Sequence, residues 1–146
     1  MAVQGFGNVA TILVEHLLRA GASIVTTDIY ESARERARQL DGVEVIDPGD
    51  FHRCDADIFA PCPLGGVLNE NTIPELRAPI VCGVANNQLL DDDGDAQRLQ
   101  DRGVLYAPDY IVNAGVSSTR FTSWMETTIA TPQRLRRRRS STRAGW

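Results

Sequence analysis

Within the first ten residues, a strand-like Ala2-Val3-Gln4 runs into Gly5-Phe6-Gly7-Asn8-Val9-Ala10. Helical spacing of Val9, Ile12, Leu13 and Leu17 follows at once. A G-x-G-x-x-A turn by itself is a weak signal. Here it joins a strand to an amphipathic helix, and Asp28 closes the next strand-like run, Ala22 to Thr27. Strand, glycine turn, helix, strand and acid make the dinucleotide-binding fingerprint in its required setting. Gly5 permits the tight turn, Gly7 lets the backbone approach a pyrophosphate, and Ala10 keeps helix and strand close. The N–H groups at the helix start can hold the phosphates without a lysine. That matters, because all 15 basic residues are arginine. An ordinary glycine-rich turn would need three separate features to coincide by chance.

Asp28 is the expected ribose ligand, accepting from both hydroxyls. Its charge disfavours a 2′-phosphate, so NAD is expected over NADP. Arg34, Arg36 and Arg38 follow on the next helix, where a solvated face with Glu31 and Glu35 is the expected arrangement.

The same alternation continues. Ser32 with Glu35 fits a capping box opening a helix through about Leu40. Strands are expected at 43–46, 56–60, 80–84 and 104–107, and helices at 72–76 and 91–102. The fold expected is α/β, a Rossmann-type doubly wound, mainly parallel sheet with helices on both faces. Ligands bind outside the carboxyl ends of such strands. Three polar segments fall there: Ala60-Pro61-Cys62-Pro63-Leu64-Gly65-Gly66, Ala85-Asn86-Asn87-Gln88, and Tyr106 through Gly115. Together they form an expected cofactor wall.

Composition narrows the rest. At 146 residues, one domain is expected. The charge is split: residues 1–115 carry a balance of −10, and residues 116–146 a balance of +6. Periodicity stops after Asn113-Ala114-Gly115. Residues 1–115 therefore read as the dinucleotide-binding domain, with its first strand truncated, and 116–146 as a disordered Arg/Ser/Thr-rich tail. Cys54, Cys62 and Cys82 show no CxxC or CxxH spacing, and His16 and His52 are the only histidines, so neither metal nor disulfide is expected. A polar, glycine-rich start and the lack of a long apolar run point to a cytoplasmic protein with no membrane partner. The run Arg136 to Arg139 lacks interleaved aromatics, so no nucleic-acid partner is expected.

At residue level, VQGFGNVA, DIFAPCPLGGVLN, ANNQL and LYAPDYIVNAG together resemble the cofactor domain of the glutamate/leucine/phenylalanine/valine dehydrogenase family. The leucine, valine and phenylalanine branch is the nearer likeness, over residues 2–115. The resemblance implies NAD-dependent oxidative deamination of a branched-chain or aromatic L-amino acid to a 2-oxo acid and ammonia. It implies pyrophosphate contacts at Gly5, Gly7, Asn8 and Val9, and ribose contact at Asp28. Ala60, Pro61 and Cys62 would lie by the nicotinamide half with Asn86, and Asn113 by the nicotinamide or substrate side. With Phe6, Ala10, Ile29 and Ala85, these are the candidate cofactor-binding residues. No residue of the chain is a candidate for catalysis or metal binding.

In that family the catalytic lysines and the proton-relaying aspartate belong to an N-terminal substrate domain, so the expectation is a fragment inactive alone. The amino acid would bind only with that domain, and the family's homo-oligomer would form outside this segment. The family continues Gly-Val-Ile after its Asn-Ala-Gly, whereas this chain reads Val116-Ser117-Ser118. Codons for Gly115 to Glu126, read one nucleotide earlier, permit Gly-Val-Ile-His-Ala-Val-His-Glu-Leu-Asp-Gly. The Asp-Gly end is forced by the single codons of Trp124 and Met125. Residues 116–146 are therefore expected to be out of frame. The alternative function is the Rossmann domain of another NAD-dependent oxidoreductase or a non-catalytic dinucleotide-binding protein.

Overall fold

A six-stranded sheet, ordered β3-β2-β1-β4-β5-β6 and parallel throughout, organises the chain. The computed structural model describes residues 1–63 and 65–114. The strands are β1 (Ala2–Gln4), β2 (Ile24–Thr27), β3 (Val43–Val45), β4 (Phe59–Pro61), β5 (Ile80–Val81) and β6 (Leu105–Tyr106). β1 is central, and Ala2 and Val3 are fully buried. The chain winds outward from β1 through β2 to β3, returns to β4 beside β1, and winds the other way through β5 to β6, so right-handed crossovers put the connections of the two halves on opposite faces. The direction of winding reverses between β1 and β4, and ligands bind at that crevice in doubly wound sheets.

Helix α1 (Asn8–Arg19) forms where a helix was expected, but it buries Ala10, Val14 and Leu17, while Val9 and Ile12 of the expected apolar spacing are exposed and only Leu17 of that set is fully buried. Gly21 ends it with a positive φ of +81°, which suits glycine. Helix α2 (Glu31–Arg38) departs from the expected capping box. Ser32 lies inside the helix, and Tyr30 is the N-cap with no side-chain bond. Asp28 Oδ1 instead accepts from the N–H of Tyr30, the N-cap residue, at 2.9 Å, so a carboxylate at the end of β2 ties down the helix start while the first-turn amides keep no side-chain cap. Helix α3 (Asp92–Asp101) starts as expected, with Asp91 accepting from the Gly94 N–H.

The strands are shorter than their apolar runs, because pairing stops where the chain bends into the loops. Two connections are 3₁₀ turns, Pro48–Arg53 and Ile73–Glu75. The first was expected as loop and the second as helix. Both carry a proline and deliver one buried side chain, Phe51 and Ile73, to a cluster with Phe59, Leu68, Leu76 and Leu99. The expected tail, 116–146, lies outside the described residues.

His52 also sits in the first 3₁₀ turn, its ring centroid 5.3 Å from that of Phe59. Its Nε2 is buried without a hydrogen-bond partner. Burial holds the imidazole below its usual 6.5, against a weaker upward pull from Glu75. The folded state thus favours the neutral ring. That contribution is full above the unfolded value and is lost as pH falls below it. We expect the urea midpoint to fall more between about pH 7 and pH 5.5 in the parent chain than in His52→Leu. Parallel pH profiles for the two would refute this.

Candidate functional site

The glycine turn leaves β1 at the winding reversal. Gly5 has φ +84°, and its N–H donates to Thr27 O at 2.8 Å. A Cβ there would stand 3.2 Å from Pro63 N, so the turn lies directly against the loop after β4. Gly7 differs: its φ is −83°, and a Cβ would meet nothing within 4 Å. It is exposed and faces open space, as an approach path for a ligand requires. The first backbone bond of α1 runs from Thr11 N–H to Gly7 O at 2.9 Å. The N–H groups of Asn8, Val9 and Ala10 precede that ladder, and no acid occupies the first turn. The helix dipole adds partial positive charge at the same place.

Asp28 follows β2 beside this turn. Its Oδ2 accepts from the Phe6 N–H at 2.7 Å and its Oδ1 from Tyr30. Each oxygen keeps acceptor capacity, since an ionised carboxylate offers about four lone-pair sites. Phe6 itself is buried in the core, and its amide is spent on Asp28. Ile29 next to Asp28 is 76% exposed, an apolar surface at the site rim. Of the α2 arginines, Arg34 and Arg38 bond Glu31, and Arg34 also donates to Asp28 O at 2.5 Å. Arg36 reaches the carbonyls of Phe6 and Ser32 instead.

Across the crevice, Ala60, Pro61 and Ala85 are buried, so their backbone and not their side chains shapes the wall. Cys62 N–H donates to Gln4 O at 2.9 Å, locking β4 to β1. Burial pushes the Cys62 thiol up to about 11, so it is protonated and unreactive at neutral pH. Ala85 N–H donates to Pro61 O at 2.9 Å. Gly83 and Gly65 lie against the backbones of Pro61 and of Asn86 and Asn87.

The third segment closes over the second. Helix α4 (Asp109–Val112) supplies Asp109, whose Oδ2 accepts from the Asn87 N–H at 2.7 Å. Just after it, Asn113 Nδ2 donates to Asn86 Oδ1 at 2.8 Å. The structure thus brings together Asn86 and Asn113, and separately the glycine turn and Asp28. The bonds from Asp109 to Asn87 and from Arg36 to Phe6 were not anticipated. The signal for the first was the positive φ of Asn87, +49°, which the sequence hints at only through residue type.

Among the described residues, no group of three or more His, Cys, Asp or Glu could hold a metal ion. No described helix is long and apolar enough to cross a membrane.

The strand order and the glycine turn at the winding reversal define a doubly wound, Rossmann-like α/β fold. The model of the glutamate/leucine/phenylalanine/valine dehydrogenases matches residues 27–130, and the chain belongs to that family. Leucine dehydrogenase of Geobacillus stearothermophilus is 46% identical over 116 residues, 79% of this chain and 31% of that protein. Phenylalanine dehydrogenase of Lysinibacillus sphaericus is 46% identical over 119 residues, 78% of this chain and 31% of its own length. The crystal structure of L-tryptophan dehydrogenase from Nostoc punctiforme superposes with a TM-score of 0.75 at 45% identity, covering 78% of this chain and 34% of that one. The chain spans about a third of the length of these relatives.

Proposed function

We propose that residues 1–115 are the NAD-binding domain of an amino-acid dehydrogenase acting on a branched-chain or aromatic L-amino acid. The observation that carries this is the arrangement around Asp28. Its carboxylate is fixed by two backbone amides beside a glycine turn that is open at Gly7 and followed by three amides ahead of the helical ladder. A dinucleotide fits these residues: the amides of Gly7, Asn8 and Val9 would hold the pyrophosphate, and Asp28 the adenosine ribose. NAD is favoured over NADP because Arg34 and Arg38 are committed to Glu31 and Arg36 to main-chain oxygens. The Asn113–Asn86 bond leaves one amide N–H₂ and one amide oxygen unspent by that bond, a donor and an acceptor complementary to a carboxamide.

Bound NAD would supply the hydride acceptor for oxidation of the amino acid to a 2-oxo acid and ammonia. This chain's residues bind and orient it. Holding a substrate against the nicotinamide can supply about 7–11 kcal/mol of the barrier in favourable cases. The chain offers one wall for that and no lysine to stabilise the reacting groups. The expected result is therefore no NAD reduction by the purified chain with leucine, valine, phenylalanine or tryptophan. Turnover is expected only with an N-terminal substrate domain of a relative and an in-frame C-terminal segment. Clear turnover by the chain alone would overturn this reading. Calorimetry with NADH and NADPH tests the cofactor separately, and equal affinity for both would refute the NAD assignment.

The out-of-frame reading of residues 116–146 rests on the codon argument, against which stands the family match reaching residue 130. The gene's nucleotide sequence, read downstream in all three frames, decides it.

A further inference from the structure

We infer that Arg36 is a positioning residue that aims the Gly7 amide into the pyrophosphate site. The inference rests on the dinucleotide-binding reading above and adds a residue that the glycine fingerprint does not contain. Arg36 leaves the exposed face of α2 and donates from Nη2 to Phe6 O at 3.2 Å and from Nη1 to Ser32 O at 3.2 Å. It forms no ion pair among the described residues, whereas Arg34 and Arg38 on the same helix both bond Glu31. Its guanidinium therefore ties α2 to the centre of the glycine turn, 30 residues away in sequence.

The consequence follows from peptide geometry. Phe6 O and the Gly7 N–H belong to one planar unit, and no peptide bond in the described chain is cis. In a trans unit the carbonyl and the N–H point opposite ways. Holding Phe6 O towards α2 turns the Gly7 N–H away from α2. On the preceding unit, the Phe6 N–H is held by Asp28 Oδ2 at 2.7 Å. Phe6 is thus gripped at both its polar groups, by Asp28 after β2 and by Arg36 from α2. Its buried ring anchors the residue between them. Among the described residues, no hydrogen bond takes up the Gly7 N–H itself. A hydrogen bond to the carbonyl also polarises the unit and strengthens the N–H as a donor.

The test compares ADP-ribose with adenosine, which lacks the pyrophosphate, on the ¹⁵N-labelled 146-residue chain and on Arg36→Met and Arg36→Lys. We expect Arg36→Met to weaken ADP-ribose about five-fold, the effect of one hydrogen bond of ordinary strength, and to leave adenosine unchanged. Arg36→Lys should recover part of the loss, since an ammonium can donate to the same carbonyl. The loss should persist in 0.5 M salt, where a distant surface charge is screened. Without ligand, the Gly7 amide resonance should move in Arg36→Met while those of Gly21 and Gly103 stay. An equal loss for adenosine, an unchanged ADP-ribose affinity, or an unmoved Gly7 resonance would overturn the role of Arg36. A parent chain that binds no ADP-ribose would sink the dinucleotide reading itself, and this inference with it.

Discussion

Gly83→Ala is expected to destabilise the chain by about 3 kcal/mol, the upper part of the range for overpacked cores. The added Cβ would stand 2.3 Å from Pro61 O and 2.4 Å from both Pro61 N and Pro61 Cδ. These are backbone and ring atoms, so no rotamer change relieves the clash. Nor can the β4 end shift freely. Pro61 O accepts from Ala85 N–H, and the next amide, Cys62 N–H, is bonded to Gln4 O in the central strand. Proline at 61 has no N–H to donate, and glycine opposite it lets the two segments close to contact distance. Separating them would also pull Ala85 and Asn86 off the crevice wall. Gly7→Ala is the matched control. Its Cβ meets nothing within 4 Å, so stability should change by less than about 1 kcal/mol, the scale of an N-cap change. Its cofactor affinity should fall, because the methyl group occupies the pyrophosphate approach. Urea midpoints for the two variants check the pair. A Gly83→Ala chain as stable as the parent would show that the contact yields.

Asp28→Ala is expected to weaken NAD binding by about 1.5–3 kcal/mol, the scale of hydrogen bonds to a charged group. Binding of NADP should change less, because removing the carboxylate also removes its repulsion of a 2′-phosphate. The preference between the two cofactors therefore narrows. The structure adds a second effect. Phe6 N–H and Tyr30 N–H both lose their acceptor, which loosens the glycine turn and the start of α2 together. Asp28→Asn separates the contributions, since its amide oxygen keeps one acceptor without the charge. Calorimetry with NADH and NADPH on the parent and both variants gives the answer. An unchanged ratio of affinities in Asp28→Ala would remove Asp28 from the ribose site.

How far the site could be read in the chain depended on sequence separation. Gly5, Gly7 and α1 form one continuous stretch, so a local pattern of glycines and a 3.6-residue period was enough to place them. Asp28 was placed because one crossover of ordinary length separates it from the turn. The parallel sheet followed from strands alternating with other elements, although two connections proved to be 3₁₀ turns. The start of α2 was misread because Ser32 and Glu35 satisfy the capping pattern, while the competing acceptor, Asp28, belongs to the preceding strand end.

By itself, then, the amino-acid order determined the fold class, the family and the position of the glycine turn, all of which rest on short-range periodicity and motif. It also ruled out any role for a lysine of this chain. Tertiary structure alone decided which groups meet across the crevice: Asn113 with Asn86, Asp109 with Asn87, Gly83 with Pro61, and Arg36 with Phe6. These partners lie between 22 and 30 residues apart in sequence. Their contacts depend on the register between parallel strands, which the neighbouring residues along the chain do not encode, because each strand's offset is set by packing over the whole sheet.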